Sequence, residues 1–501
     1  MSQPTLSAAD YHRATSYRRH ALTPHSLDWT HQPLPAKRYP NLPRVPLDRR
    51  IETPQIDYFN LVKDRPTDPC RSGPPDLREI TMALQLTHAV TARSVHAGQP
   101  FYYRSVASAG ALYPFELYLA AYHVDGLAPG VYHFDLFDFC LTTLRGDAPP
   151  EMPPAEYGIA ATFFITGIYF RSAWKYRSRA YRYVLLDAGH LLENLRLALG
   201  ALNRDHRIHF DFDDHQTATL LGLDPDREGC LVSVHLPVDH SPKQAAGAAD
   251  ACLPLADDIR RASIVSDREV AYAEILAIHR SGHPVGTRSV DSIPVQPVGN
   301  QLPVDWINVD TPDHPEPADY LRVLAQRRSR RNFVPETVSR LSFMALLDLL
   351  LAAMDGSSGI PVTTPPVLSA GLLAGQHMPI APGFYRLDPG NWRLGRLLDG
   401  RLIEPMASAC LDQMWLKHAG LHLLFTVNLA ALDRDWGARG YRYAMLESGR
   451  LGQQAYLAAT ALGWGACGIG AIYDREAADL LDLEADEALL YLVGVGPVKT
   501  R

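Results

Sequence analysis

The densest basic cluster of the sequence lies at residues 327–331, which read Arg-Arg-Ser-Arg-Arg. Arginine forks and a serine hydroxyl suit the oxygens of a phosphate, so the cluster is a candidate anion site. A solvated helix end would have the same composition, and the cluster alone does not decide between the two. Lys499 follows the last apolar stretch of the chain and is either a second phosphate ligand or a charged tail.

A glycine-rich stretch lies at residues 463–470 and reads Gly-Trp-Gly-Ala-Cys-Gly-Ile-Gly. Glycines let a flat ligand approach the backbone and receive its N–H groups. Most glycine-rich stretches are only turns, so this one indicates a ligand site only in combination with other features.

Lys175 and Tyr176 are neighbours that could move a proton. A lysine acts as a general base near neutral pH when burial or nearby cations lower its pKa, and Arg177 and Arg179 are the nearest cations in sequence. The alternative is a surface lysine beside a half-buried tyrosine.

Composition limits the class of protein. The chain has 501 residues, of which 47% are hydrophobic and 21% charged, and its net charge is −7. These values predict two or three folded domains and give no basic surplus for nucleic acid or an anionic membrane. The six cysteines form no C-x-x-C pair, no metal-binding spacing is present, and no apolar run reaches the length of a membrane span. We therefore expect a cytoplasmic protein without a metal site.

An internal repeat organises the chain. Residues 181–190 recur at 441–450, and the same offset of 260 aligns 221–224 with 481–484 and 237–238 with 497–498. Upstream, Ser-Ala-Gly at 108–110 matches 369–371, and 130–132 matches 383–385 at a smaller offset. A register held over this length indicates a tandem duplication.

The repeat predicts two domains, at residues 60–240 and 315–501. Each should contain strands such as 115–122, 131–134 and 489–493, and a long helix, at 181–201 in the first copy and within 430–461 in the second. Residues 1–59 should wrap the surface, with little regular structure in the first 55. Residues 241–314 should form a linker with one helix, at 268–279. Strands and helices mix without strict alternation, which predicts an α+β fold.

Together these motifs resemble the nitroreductase superfamily of FMN proteins, and specifically its SagB-like azoline dehydrogenase branch. The most specific motifs are Ser-Ala-Gly-Ala-Leu-Tyr-Pro-x-Glu at 108–116 and Lys-Tyr-x-x-Arg-x-Tyr-Arg-Tyr at 175–183. The resemblance implies a dimer-like fold with FMN between subunits. In a tandem chain, the two nitroreductase-like domains would then form an intrachain pseudo-dimer.

The resemblance also implies the site residues. Lys175 and Tyr176 would be the catalytic pair. The first domain would contact FMN through Ser108, Ala109, Gly110 and Tyr113. The second domain would contribute Arg327, Arg328, Ser329, Arg331, Cys467, Gly468, Ile469, Gly470 and Lys499.

A second site, built from 369–371 and the first-domain equivalents, should not bind FMN. At the offset of 260, the glycines are replaced by Asn203, Asp205, Ile208 and Phe210, and Lys499 by Asp239. Replacing a cation near a phosphate by a carboxylate turns attraction into repulsion of about 4 kcal/mol at an effective dielectric constant of about 20. Asp435 and Trp436 take the place of the Lys-Tyr pair. We therefore expect one FMN per chain.

The resemblance implies an FMN-dependent dehydrogenase or oxidase that converts thiazoline or oxazoline rings of a peptide to azoles. Its partners would be a modified peptide or a carrier-bound substrate, and a cyclodehydratase. Alternatives are an NAD(P)H-dependent nitroreductase, a desaturase of a carrier-bound substrate, or a flavin-free peptide-binding scaffold. The chain would act as a monomeric pseudo-dimer or as a homodimer.

Overall fold

The computed structural model describes eleven parts of the chain, namely residues 5–22, 25–50, 55–63, 70–96, 98–147, 149, 158–238, 252–283, 302–310, 316–355 and 368–499. The strands there are β1 (Arg44–Pro46), β2 (Val90–His96), β3 (Gln99–Arg104), β4 (Phe115–Ala121), β5 (Gly130–Asp135), β6 (Cys140–Arg145), β7 (Gly158–Ile168), β8 (Arg207–His209), β9 (Glu228–Val238), β10 (Trp306–Asn308), β11 (Ser369–Ala374), β12 (Gly383–Asp388), β13 (Arg393–Asp399), β14 (Leu421–Asn428), β15 (Gly465–Ile469) and β16 (Glu487–Gly496).

The helices are α1 (Ala8–Ala14), α2 (Tyr58–Lys63), α3 (Leu77–Thr87), α4 (Tyr169–Tyr176), α5 (Ala180–Ala201), α6 (Asp214–Leu221), α7 (Asp257–Arg261), α8 (Ala273–Ser281), α9 (Tyr320–Gln326), α10 (Arg340–Asp355), α11 (Ile403–Ala409), α12 (Leu429–Trp436), α13 (Ala438–Ala461) and α14 (Asp474–Leu480). No helix in these parts is both long enough and apolar enough to cross a membrane.

Two seven-stranded antiparallel sheets have the same strand order. The first runs β1-β6-β5-β4-β7-β9-β8 and the second β10-β13-β12-β11-β14-β16-β15, and β2 and β3 form a separate ribbon. With the long helices, this architecture confirms the predicted α+β fold with two tandem domains. We call the residues around β1–β9 the first half and those around β10–β16 the second half.

The long helices α5 and α13 join the halves. A Cβ atom on Gly189 would overlap the Leu446 carbonyl oxygen, and one on Gly449 would overlap the Leu186 carbonyl oxygen. Only glycine permits this approach, because any side chain at either position would push the two backbones apart. The predicted helix at 181–201 is confirmed. The stretch 430–461 contains two helices, α12 and α13, which are separated at Gly437 by its φ of +60°.

Two buried ion clusters repeat across the interface. Arg179 and Arg182 of the first half each lie 2.7 Å from the Asp474 carboxylate of the second. At the offset of 260, Arg439 and Arg442 of the second half each lie 2.8 Å from Asp214 of the first. Burial would raise the pKa of Asp474, but the two arginines outweigh it and hold this pKa well below its usual range.

The N-terminal segment contains short regular elements. Within residues 5–22 and 25–50 it forms α1 and adds β1 to the first sheet, and most of the other residues there are irregular. Its wrapping of the surface stays a prediction. Tyr11 of α1 is fully buried, and His12 Nδ1 lies 3.1 Å from the Tyr441 hydroxyl. This segment therefore contributes to the core.

The segment between the domains behaves in the same way. Its described residues form two helices, α7 and α8, where the sequence predicted one. The predicted helix at 268–279 corresponds to α8, which begins later because Ser266 and Glu269 bind nearby backbone N–H groups in a bend. His279 Nδ1 of α8 lies 3.0 Å from the Tyr181 hydroxyl, as His12 does from Tyr441. The same segment supplies β10 to the second sheet. The domain limits drawn from the sequence stay predictions.

The ladder registers correct one repeat assignment. Ala121 pairs with Gly130 in the first sheet, and Ala374 pairs with Gly383 in the second. Ser369 therefore takes the place of Glu116, and the predicted match of 369–371 with 108–110 is wrong. Residues 369–371 lie inside β11, and the counterpart of the loop falls before Leu368, outside the described residues. A shared tripeptide can slip along the chain, whereas paired strands fix the register.

Candidate active site

A cleft of about 150 Å³ lies between the halves. The first half lines it with Ala107, Ser108, Ala109, Gly110, Tyr176, Tyr183, Leu186, Asp187 and His190. The second half lines it with Ser329, Arg331, Gln413, Tyr456, Cys467, Gly468, Ile469, Gly470, Ala471 and Tyr491. Two larger grooves, of about 680 and 670 Å³, contain none of the predicted site residues. The chemistry of the lining, rather than size, therefore selects this cleft.

The loop at residues 108–113 forms one wall and is strained. Gly110, Ala111 and Tyr113 have φ values of +65°, +55° and +46°, a region that residues with a side chain seldom adopt. Such strain persists only where neighbouring contacts impose it, and it is common at functional sites. Ser108 Oγ accepts a hydrogen bond from the Tyr113 N–H at 2.8 Å, which closes the loop.

Lys175 and Tyr176 end helix α4 and converge on Gly110. A Cβ atom there would lie 3.2 Å from Lys175 Nζ and 2.9 Å from the Tyr176 hydroxyl. The structure thus brings the predicted catalytic pair to the predicted loop. The Tyr176 ring also packs on the Tyr183 ring, with centroids 4.2 Å apart.

Charge and burial give the pair different proton affinities. Burial, and then the cation Arg331, lowers the pKa of Lys175, while burial raises that of Tyr176. The sequence suggested Arg177 and Arg179 as the neighbouring cations, but Arg179 is bound to Asp474. The cation that acts on Lys175 comes from the other half. Lys175 can therefore accept a proton, whereas Tyr176 keeps its proton and can donate a hydrogen bond.

The opposite wall is β15 with the segment that contains Ser329. The Ser329 backbone bridges to Ala466, and the Tyr456 hydroxyl lies 3.0 Å from Ser329 Oγ. The Gly468 N–H donates to that same Tyr456 hydroxyl at 2.7 Å, so this N–H is not free for a ligand as the sequence suggested.

The glycines of β15 are required by packing. A Cβ atom on Gly468 would overlap the Tyr491 hydroxyl, and one on Gly470 would lie 2.6 Å from the Tyr183 ring. Cys467, just before Gly468 in the same wall, is buried, and burial raises the pKa of its thiol. The strand therefore offers the cleft a smooth backbone surface and an uncharged thiol.

The positive charge of the basic cluster has no acidic partner among the described residues. No carboxylate pairs with Arg327, Arg328, Arg330 or Arg331 in the part of the chain that the structure covers. Arg328 has its pKa lowered by burial and then by Arg330. Of the four, Arg331 lines the cleft, and its unbalanced charge favours an anionic ligand such as the phosphate of FMN.

Arg327 also ties the halves together. It is buried, and its Nε and Nη2 donate to the carbonyl oxygens of Ser105 and Arg104 at 2.8 Å. Its Nη1 is buried without a hydrogen-bond partner in the structure. Two nitrogens of Arg327 thus hold the first half, and the third is a donor left for a ligand.

Five predicted site residues do not line the cleft. Lys175 lies against Gly110 of the lining, with Nζ 3.2 Å from the Cβ position of that glycine. Arg327 and Arg328 lie behind Ser329 in the chain, and Arg328 donates to the Ala325 carbonyl. Tyr113 is buried beneath the Arg104 guanidinium, 4.0 Å from its ring centroid. Lys499 is exposed, and its backbone N–H donates to the Asn332 carbonyl at 3.0 Å. This hydrogen bond places Lys499 beside the residue that follows Arg331.

Sequence reasoning missed Asp187 and His190 as cleft residues. Both lie in the repeated stretch 181–190, where the repeat pairs them with Glu447 and Arg450. His190 is held between Gln453 Oε1 at 2.8 Å and the Tyr491 hydroxyl at 3.0 Å, and burial lowers its pKa to about 4. The change from arginine to histidine was the available signal.

The equivalent position on the other side of the pseudo-dimer is filled. Phe210 stands where Gly470 stands in the cleft, and its ring packs against Tyr443 at 5.9 Å. Trp436 stands at the place of Tyr176 and packs against Tyr443 at 6.0 Å. Asp435, in the place of Lys175, pairs with Arg434 at 2.7 Å. These side chains support the expectation that the second site does not bind FMN. At the offset of 260, residues 327–329 correspond to 67–69 and Lys499 to Asp239, which lie outside the described residues, and Arg331 corresponds to Arg71.

Comparison with known proteins agrees with this fold. A solved structure from Anabaena variabilis, described as a nitroreductase, covers 99% of this chain and all of its own, with a TM-score of 0.77. Its sequence identity is 24%, so the likeness concerns the fold alone. The trifolitoxin-processing protein TfxB of Rhizobium leguminosarum bv. trifolii is 30% identical over 142 residues, which are 26% of this chain and 38% of TfxB.

Two further matches identify the family. A protein of Methanocaldococcus jannaschii named as a nitroreductase is 31% identical over 177 residues, which are 34% of this chain and 88% of that protein. The nitroreductase family model matches residues 324–497, the part that contains Ser329, Arg331 and β15. The strand order, the cleft between the halves and these matches agree, and the chain belongs to the nitroreductase family.

Proposed function

We propose that this protein is an FMN-dependent dehydrogenase that oxidises thiazoline or oxazoline rings of a modified peptide to azoles. The observation that carries the proposal is the convergence of Lys175 and Tyr176 on Gly110, opposite a wall that contains Arg331. A peptide substrate is supported by the likeness to TfxB, whose name describes the processing of trifolitoxin.

The residues around the cleft fit FMN. The unbalanced arginines of 327–331, with Ser329 and Lys499, would bind its phosphate. The loop 108–110 and the stretch 467–470 would enclose its ring system. When bound, FMN would accept the hydride that such an oxidation removes from the substrate ring.

Lys175 would take the proton that the substrate ring loses. The lowered pKa of Lys175 increases the fraction of neutral amine near neutral pH, and the neutral amine is the form that accepts a proton. Tyr176, which stays protonated, would hold the substrate by donating a hydrogen bond. Arg331 would favour proton release from Lys175 between turnovers, because the two cations repel each other.

The substrate of this reaction must first be cyclised. An azoline ring forms when a cysteine, serine or threonine side chain closes on the preceding carbonyl with loss of water. A cyclodehydratase would therefore act before this protein and is the partner we propose. A carrier-bound substrate is the alternative source of an oxidisable ring or bond.

The test compares two substrates for the FMN-loaded protein. A synthetic thiazoline peptide in air should lose two hydrogen atoms, detected by mass spectrometry, and a nitroarene with NADPH should react much more slowly. Fast nitroarene reduction without thiazoline oxidation would support a nitroreductase, which the name of the Methanocaldococcus jannaschii relative favours. A colourless protein that binds no FMN would instead support a peptide-binding scaffold.

A further inference from the structure

Asp187 is a buried carboxylate in the cleft without a cationic partner. Its exposed fraction is 3%, and it makes no ion pair with any residue that the structure describes. Its Oδ2 accepts from Ser108 Oγ at 2.5 Å, and its Oδ1 accepts from the Ala109 N–H at 3.0 Å. Both donors belong to the strained loop.

The other half handles the equivalent position differently. Glu447 pairs with Arg450 one turn further along α13, at 2.5 Å. In the first half the residue one turn after Asp187 is His190, whose lowered pKa leaves it neutral. A buried carboxylate without a cation destabilises a fold. Among the described residues, Glu447 has a cationic partner, whereas Asp187, which lines the cleft, has none.

We propose that Asp187 is the positioning residue of this site. It accepts hydrogen bonds from Ser108 and Ala109 and so holds Gly110 against Lys175 and Tyr176 in the position that binds the cofactor. The inference rests on the proposed function, since it assigns Asp187 a role in binding FMN. Two features of the loop support it. Ala111 and Tyr113 have side chains and positive φ, so the loop needs an external restraint. Ser108 passes that restraint on to Tyr113 through the 2.8 Å hydrogen bond.

The burial of Asp187 supports the same role. Burial raises the pKa of Asp187 to about 7, although Ser108 and Ala109 oppose the shift. A residue kept only for stability would not carry this penalty. Its removal should therefore weaken cofactor binding without weakening the fold.

The test titrates the FMN-free full-length protein with FMN and follows flavin fluorescence. Asp187→Ala should raise the Kd for FMN about tenfold or more, the effect of losing a charge-assisted hydrogen bond, while the melting temperature of the FMN-free protein stays equal or rises. Asp187→Asn should restore most of the affinity, because an amide can still accept from Ala109 and contact Ser108. The matched control Glu447→Gln should lower the melting temperature and leave the Kd unchanged.

A double-mutant cycle separates positioning from general stability. If Asp187 acts through Ser108, the double variant Asp187→Ala with Ser108→Ala should lose less FMN affinity than the sum of the two single losses. Unchanged affinity of Asp187→Ala, additive losses in the double variant, or a loss of affinity that follows a lowered melting temperature would each overturn the inference. If the parent protein itself binds no FMN, the proposed function fails, which is a distinct result.

Discussion

Arg331 of the second half acts on Lys175 of the first half: together with burial, it lowers the pKa of that lysine. Lys175, the proposed proton acceptor, lies against Gly110 of one wall of the cleft, and Arg331 lines the opposite wall. Neither half contains the complete site, and this relationship underlies the predictions that follow.

The first prediction concerns proton transfer. Lys175→Ala and Tyr176→Phe should leave the protein folded and yellow, while turnover of a thiazoline peptide falls about 10²–10⁴-fold, the usual contribution of general acid–base catalysis. Asp435→Ala, at the position equivalent to Lys175, is the matched control and should turn over normally. Near-normal turnover of both cleft variants would show that the pair is structural.

The second prediction concerns the cofactor phosphate. Arg331→Glu should abolish FMN binding, because it replaces an unbalanced cation of the cleft by an anion. Arg71→Glu, in the first half, should bind FMN like the parent, since Arg71 is exposed and its partner is Glu79 at 2.6 Å. Equilibrium dialysis measures both. If Arg71→Glu lost FMN and Arg331→Glu kept it, the proposal that the second half binds the phosphate would be contradicted.

The third prediction is one FMN per chain. Flavin absorbance after denaturation, divided by chain concentration, should give a ratio close to one. Gly470→Phe gives the cleft the side chain that Phe210 has at the equivalent position, where it packs on Tyr443. This variant should no longer bind FMN. The converse change, Phe210→Gly, should destabilise the core by about 3–5 kcal/mol without adding a second FMN. A ratio of two in the parent would refute the single-site arrangement.

The fourth prediction concerns pH and Asp187. Its pKa is about 7 in the folded protein and 3.8 in the unfolded chain. As pH rises between these values, Asp187 loses its proton in the unfolded chain but keeps it in the folded protein. The free energy of unfolding of the parent therefore falls, whereas that of Asp187→Asn, which has no proton to lose at this position, does not. The advantage of the variant should grow from about zero at pH 4 to about 2–4 kcal/mol at pH 7 and then stay constant. Urea unfolding of the FMN-free proteins across this range measures it.

The change of stability with pH can be assigned to Asp187 when the neighbouring cleft groups keep their charge over the same pH range. The other titratable or charged groups that line the cleft are Tyr176, Tyr183, Tyr456, Tyr491, Cys467, His190 and Arg331. Burial raises the pKa of the four tyrosines and of the thiol and lowers that of His190 to about 4, so none of them should titrate near pH 7. A constant difference between parent and variant over the whole range would contradict the assignment.

The repeat made the general architecture predictable from the sequence. The offset of 260 between Tyr181 and Tyr441 places two long helices in equivalent positions, and the structure has them as α5 and α13. The same register led to a cleft shared by the loop of one half and the basic cluster of the other. Local patterns were sufficient here because they extend over many residues.

Contacts between distant residues were less predictable. The role of Asp187 depends on Ser108, a residue 79 positions earlier that only the fold brings within 2.5 Å. Arg327 is predicted as a phosphate ligand, yet two of its nitrogens bind carbonyl oxygens of the first half. The wrong match of residues 369–371 with 108–110 has a related cause, because a shared tripeptide carries no information about strand pairing. Such features follow from tertiary packing and not from local sequence.

The glycine contact between α5 and α13 has a consequence for how the site responds to dilution. In a dimer of separate subunits, a site shared across the interface disappears when the subunits dissociate at low concentration. Here Gly189 and Gly449 join two walls that belong to one polypeptide. The effective concentration of one wall at the other is set by the chain itself, so FMN affinity should not depend on protein concentration.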